Sequence, residues 1–209
     1  MAKKGKRPKR PQDHYGERAK REGLPARSYY KLEEIDKKHR LLSRGAKVLD
    51  LGCSPGSWMV YCAKKVGKDG HVWGVDLKPV DQVLPENSEA VVGDAYEWEP
   101  PVSTRGLDVV LSDMAPATTG NRVTDGLRSA GLVERALEVA ERKLRPGGHF
   151  CAKLLESGEV ELLIKRMRTM FEKVARARPD ATRKESTEVF LIGLRLKSQD
   201  RETPSVENT

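Results

Sequence analysis

The chain predicts an α/β protein with a mostly parallel, seven-stranded sheet and helices on both faces. Three observations carry this expectation. Short apolar runs with little polar alternation, such as Lys47-Val48-Leu49-Asp50-Leu51 and Leu107 to Leu111, suit strands covered on both sides. Stretches of helical spacing separate these runs, the rhythm of strand–helix–strand units. The last two strands have no helix between them, so they form an antiparallel hairpin at the sheet edge.

In order, Leu32 and Ile35 share one face of a helix expected from Ser28 to Leu41, with Lys31 in its first turn, where a cation is mildly unfavourable. The first strand, 47–51, breaks into Gly52-Cys53-Ser54-Pro55-Gly56, and Ser57 is placed to cap a helix over 57–66. Asp69-Gly70 turns into a second strand, 71–75, ending at Asp76. The third, Ala90-Val91-Val92, leads to Gly93-Asp94-Ala95, and the fourth, 107–111, to Ser112-Asp113-Met114-Ala115-Pro116. A polar loop from Thr118 to Asp125 is a candidate lid. The following helix, about Leu127 to Leu144, is ended by Arg145-Pro146-Gly147-Gly148. A strand over 149–154, a helix over 159–171, a strand over 173–178, a basic loop over 179–187 and a last strand over 188–194 complete the pattern.

Composition bounds the rest. At 209 residues and 37% hydrophobic, one domain is expected over 13–197, with a basic disordered arm over 1–12 and a disordered tail over 198–209. Three cysteines without Cys-x-x-Cys spacing argue against disulfides and a zinc site; Cys53, Cys62 and Cys151 read as inert packing residues, and no metal is expected. With no membrane-length apolar run and no apolar core at the Met1 end, a cytoplasmic protein away from membranes is expected. The net charge of +8 is localised: residues 1 to 31 hold 11 Lys or Arg against 3 Asp or Glu, and elsewhere the charges cancel. Such an excess is the footprint of a polyanion partner.

The glycine turn reads as the floor of a cofactor pocket, because Gly52 and Gly56 let backbone approach a ligand without a Cβ in the way. Two glycines four apart with Pro55 between them make a poor phosphate cradle, since a dinucleotide site wants Gly-x-Gly-x-x-Gly. A cofactor with an amino-acid moiety and no phosphate fits better. Asp76, at the tip of the second strand, can accept from both hydroxyls of a ribose, and Asp94 stands where an adenine amino group could be read. Asp113 leaves the fourth strand at the same edge. Lys153 interrupts an apolar strand at its carboxyl end, and a buried lysine is costly unless a carboxylate pairs with it, so it points into a polar site.

Asp50-Leu51-Gly52-Cys53-Ser54-Pro55-Gly56 resembles the S-adenosylmethionine loop of class I methyltransferases. With Arg27-Ser28-Tyr29-Tyr30-Lys31-Leu32-Glu33-Glu34-Ile35, Ser112-Asp113-Met114-Ala115-Pro116, Lys153-Leu154 and Ser186-Thr187-Glu188-Val189 in the same order, the chain resembles the FtsJ-like ribosomal RNA large-subunit 2'-O-methyltransferases over roughly 13 to 196. The resemblance implies a Rossmann-like class I fold and transfer of a methyl group from S-adenosyl-L-methionine to the 2'-hydroxyl of a uridine. The implied partner is ribosomal RNA on the assembled large ribosomal subunit, met by a monomer. It carries a Lys-Asp-Lys-Glu tetrad onto Lys31, Asp113, Lys153 and Glu188, and cofactor contacts onto Gly56, Trp58, Asp76, Asp94 and Asp113, beside Gly52 and Ser57. Ser57 departs from the family, which often has a second glycine there, though a small residue still fits. Since only about thirty residues precede Lys31, no fused RNA-binding module is expected; RNA falls to the basic arm, the first helix and the Arg183-Lys184 loop. Met114-Ala115 breaks the pattern of base amino-group methylases, and no Pro-Cys pair supplies the nucleophile of carbon-5 pyrimidine methylases. A transfer RNA substrate stays open, as does a non-catalytic RNA-binding assembly factor, against which an intact tetrad argues.

Overall fold

A computed structural model of the protein describes residues 14–156, 158–183 and 185–198. The arm expected over 1–12, Lys184 of the basic loop and all of the expected tail except Ser198 lie outside the described residues. The strands are β1 (Lys47–Leu51), β2 (His71–Asp76), β3 (Ser88–Val92), β4 (Leu107–Ser112), β5 (Leu144–Leu155), β6 (Phe171–Ala177) and β7 (Glu188–Leu196). They form one sheet in the order β3-β2-β1-β4-β5-β7-β6. β1 to β5 run parallel, and β7 pairs antiparallel with both β5 and β6, as the missing crossover helix predicts.

The helices are α1 (His14–Arg21), α2 (Ser28–His39), α3 (Ser57–Val66), α4 (Arg122–Lys143) and α5 (Val160–Met170). Successive strand residues point to opposite faces, and here both are apolar. Val48, Val109, Cys151 and Phe190 pack with Leu32 and Ile35 of α2 and Met59 of α3. Their neighbours Leu49, Val110, Phe150 and Leu191 pack with Val133 and Leu137 of α4 and Leu163 and Met167 of α5. The three cysteines are free and buried, and burial pushes their thiols up, away from reactive thiolates.

Four local expectations are corrected. Ser57 is the first residue of α3 instead of its cap: left-handed Gly56 holds that position, and Ser57 Oγ donates to Ala26 O at 3.4 Å. α4 starts at Arg122 because the Asn121 side chain accepts from the N–H groups of Val123 and Thr124, which shortens the candidate lid. Arg145-Pro146-Gly147-Gly148 lies inside β5, since α4 passes into strand at Leu144 and the irregularity is taken up as a register shift against β4. α1 was not expected at all. It is held from outside: Tyr15 lies against Tyr30 with ring centroids 5.6 Å apart, Arg18 stacks over Tyr30 at 4.4 Å, and Glu22 accepts from both Arg18 and the Tyr30 hydroxyl.

Candidate active site

The strand order reverses between β1 and β4, which opens a crevice at the carboxyl ends of the strands. Register carries distant residues to that edge. Leu51 stands beside Ser112, Ser112 beside Ala152, Lys153 beside Phe190 and Leu155 beside Glu188. Asp113 therefore follows β4 directly beside Lys153, while β7, running the opposite way, brings Glu188 to the same edge at its start.

Two lysine–carboxylate pairs result. Lys153 Nζ donates to Asp113 Oδ1 at 2.8 Å and also to the main-chain oxygen of Asp113. Lys31, reaching in from α2, pairs with Glu188. Both lysines are buried, at 6% exposed for Lys31 and 9% for Lys153, so each ammonium depends on its carboxylate; breaking one such pair costs about 3–5 kcal/mol. Phe190 links the pairs, being cross-strand partner of Lys153 and lying 5.9 Å from Lys31 Nζ by its ring centroid.

On the β1–β2 side the geometry is mostly backbone. Gly52 and Gly56 both have positive φ, at 77° and 99°. A Cβ on Gly52 would fall 2.7 Å from Met114 N, so this glycine lets the chain after β4 pass close over β1. At Gly56 a Cβ would meet the flexible Gln82 side chain, whose Nε2 donates to Pro55 O at 2.9 Å. Asp76 accepts from Ser54 N at 3.0 Å and Lys78 N at 2.9 Å, pinning the glycine turn to the tip of β2. Asp94 is exposed and accepts from Tyr96 N at 2.9 Å, in part the turn residue that its position allows.

Two expected cofactor contacts have other uses for their side chains. The Trp58 indole is 2% exposed in the α2–α3 layer, and its Nε1 donates to Ser28 O at 2.9 Å, fastening the start of α2 three residues before Lys31. Ser57 is likewise buried, with its hydroxyl turned to Ala26. What either offers the crevice is main chain at a helix N-terminus.

Asp50 is the residue that reading the sequence for site residues passed over. It is fully buried in β1, and among the described residues neither carboxylate oxygen has a hydrogen-bond partner. Burial, then the neighbouring Asp113 and Asp76 carboxylates, pushes its carboxyl well above the usual range, with Lys153 acting the other way. An orphaned acid beside two more acids fits a cofactor with positive charge and sugar hydroxyls, and repels phosphate. S-adenosylmethionine, with its sulfonium and ammonium groups, matches that set. A separate cavity of about 610 Å³, lined in part by Lys64, Lys68 and His71, lies by the amino end of β2, away from both lysine pairs.

A doubly wound sheet with a glycine turn, an acid-tipped second strand and an antiparallel last strand defines a class I methyltransferase fold. Residues 24–196 match the family described as FtsJ-like methyltransferase, and the chain belongs to that family. It is a methyltransferase, and S-adenosylmethionine is its methyl donor. Ribosomal RNA large subunit methyltransferase E of Syntrophobacter fumaroxidans is 47% identical over 192 residues, covering 88% of this chain and 96% of the relative. The protein of the same description from Bdellovibrio bacteriovorus is 47% identical over 193 residues, covering 90% and 98%. Among solved structures, a Plasmodium falciparum protein assigned as a ribosomal RNA methyltransferase shares the fold with a TM-score of 0.71 at 23% identity, over 84% of this chain and all of that one.

Proposed function

We propose that the protein methylates the 2'-hydroxyl of a uridine ribose in large-subunit ribosomal RNA, on the assembled subunit. The observation that carries the reading is the meeting of Lys31–Glu188 and Lys153–Asp113 around Phe190. Relatives described as acting on large-subunit ribosomal RNA, matched over nearly the whole chain, support the substrate class.

When bound, S-adenosylmethionine supplies an electrophilic methyl group. The chain's own task is to hold an alcohol in line and relieve it of its proton. In our assignment Lys153 Nζ, having released one ammonium proton to solvent, takes up that of the hydroxyl, and Asp113 aims the nitrogen through its carboxylate and carbonyl. Lys31 stabilises negative charge gathering on the ribose oxygen, held in place by Glu188. Asp76 and Asp94 would hold the cofactor's nucleoside, Asp113 would face its cationic end with the buried Asp50 coupled to it, and Gly52, Gly56, Ser57 and Trp58 would contribute backbone.

Among the described residues no helix is long and apolar enough to cross a membrane. A cytoplasmic monomer accompanies the proposal. Labelled donor, offered with undermodified large subunits, stripped ribosomal RNA and transfer RNA in parallel, tests it. Label is expected on a ribose of the subunit; label only on transfer RNA, or only on a base, overturns it.

A further inference from the structure

Glu34 lies on α2 one turn beyond Lys31, outside both lysine pairs. Its Oε2 accepts from Asp180 N at 2.6 Å and its Oε1 from Ala181 N at 3.2 Å. The Tyr15 phenol of α1 is close enough to the same carboxylate that burial, followed by Glu34, holds it above its usual range. One acid thus joins two segments far apart in the chain: α2 and the connection between β6 and β7.

Among its described residues that connection has no ladder pairing between Ala177 and Glu188, and apart from a bond from Glu156 N to Thr187 O at 2.9 Å it is placed by side chains. Arg178 gathers its far arm by donating to the main-chain oxygens of Arg183, Ser186 and Glu188. Glu34 grips its near arm by two successive N–H groups, which fixes direction as well as distance. The segment then enters β7 at Glu188, the partner of Lys31. Glu34 and Lys31 therefore form two rungs between α2 and the same piece of chain.

We infer that Glu34 is a positioning residue for the RNA: it sets where the connection bearing Arg183 stands relative to Lys31 and Glu188. This rests on the proposed ribose methylation. A carboxylate suits the task because two oxygens can each hold one N–H, whereas the Gln side chain has a single acceptor oxygen.

Glu34→Gln and Glu34→Ala in the full chain test the idea, with steady-state kinetics on the RNA substrate, donor affinity by calorimetry and thermal melting. Glu34→Ala is expected to raise the KM for RNA about tenfold and lower kcat less than threefold, with donor affinity unchanged and Glu34→Gln in between. An unchanged KM, or losses in KM, kcat, donor affinity and melting temperature that move together in both variants, overturns the positioning role while wild-type turnover leaves the function standing. A wild-type protein that methylates no ribose overturns both.

Discussion

The two halves of the crevice hold their charges in opposite ways. On the β4–β5–β7 side each charged group meets a side chain from a distant element, Lys153 with Asp113 and Lys31 with Glu188. On the β1–β2–β3 side the acids turn to local backbone: Asp76 holds Ser54 and Lys78, Asp94 holds Tyr96, and Asp50 has no hydrogen-bond partner among the described residues. The difference teaches where the work is done in advance. Paired lysines are oriented before any substrate arrives, the condition for charge stabilisation without reorganisation. In the proposed function the acid-lined half is the one that would meet the cofactor's positive charge.

Removing Lys153 is the severest way to break the paired half. Lys153→Ala is expected to lower methyl transfer about 10²–10⁴-fold, the range of a lost general base, with donor affinity kept. Single-turnover assays and calorimetry on one preparation check this. Turnover within a few-fold of wild type would take the proton-transfer role away from Lys153.

Asp50 gives the next effect and tests the unpaired half. Because the folded state binds the Asp50 proton more tightly than the unfolded chain, its contribution to stability is full below the unfolded carboxyl value, ~3.9, and is lost as pH rises through the raised folded value. Asp50→Asn cannot ionise, so the melting temperature of the unliganded variant should fall less steeply with rising pH than that of wild type. The same change removes an acid coupled to Asp113 and Asp76 and should weaken donor binding by about 1.4 kcal/mol, roughly tenfold, the worth of one pKa unit of coupling. Equal pH slopes with equal donor affinity would reduce Asp50 to packing.

Trp58 joins the halves, since it follows the glycine turn yet fastens α2. Trp58→Phe keeps the ring against Phe190 and loses the bond to Ser28 O, at about 1 kcal/mol. The expected consequence is a lower kcat through a loosened Lys31, with donor affinity within twofold. A donor affinity that falls while kcat holds would return the indole to the cofactor.

How much of this was legible follows from the kind of signal each residue leaves. The sheet could be read because apolar runs and the missing last crossover are local in the chain. Lys153 could be read because a lysine breaking an apolar strand has few physical excuses. Asp50 carries the same signal, but inside Asp-Leu-Gly it passes for part of the turn. Lys31 sits in an ordinary amphipathic helix with its partner 157 residues away, so its first-turn position drew notice but only the resemblance gave it a role. α1 is eight residues of mostly polar chain whose helicity comes from docking on Tyr30, a tertiary cause with no local trace. The Arg122 start of α4 was readable after all, from Asn121 ahead of Val123 and Thr124.

The smallest effect falls on Ser57, where the resemblance pointed to the cofactor and the geometry points elsewhere. Its hydroxyl makes one long bond, 3.4 Å, to Ala26 O, in the segment leading into α2. A bond of that length contributes at the bottom of the usual range, about 0.5 kcal/mol. Ser57→Ala should therefore melt within 2 °C or so of wild type and bind donor unchanged, since only the main chain of residue 57 faces the turn. Ser57→Val separates the two readings more sharply. It crowds the buried contact with Ala26 and should disturb α2, and with it RNA turnover, before it touches the donor. A donor affinity that drops in Ser57→Ala would put the hydroxyl in the cofactor half, and the line between the halves would have to be redrawn one residue into α3.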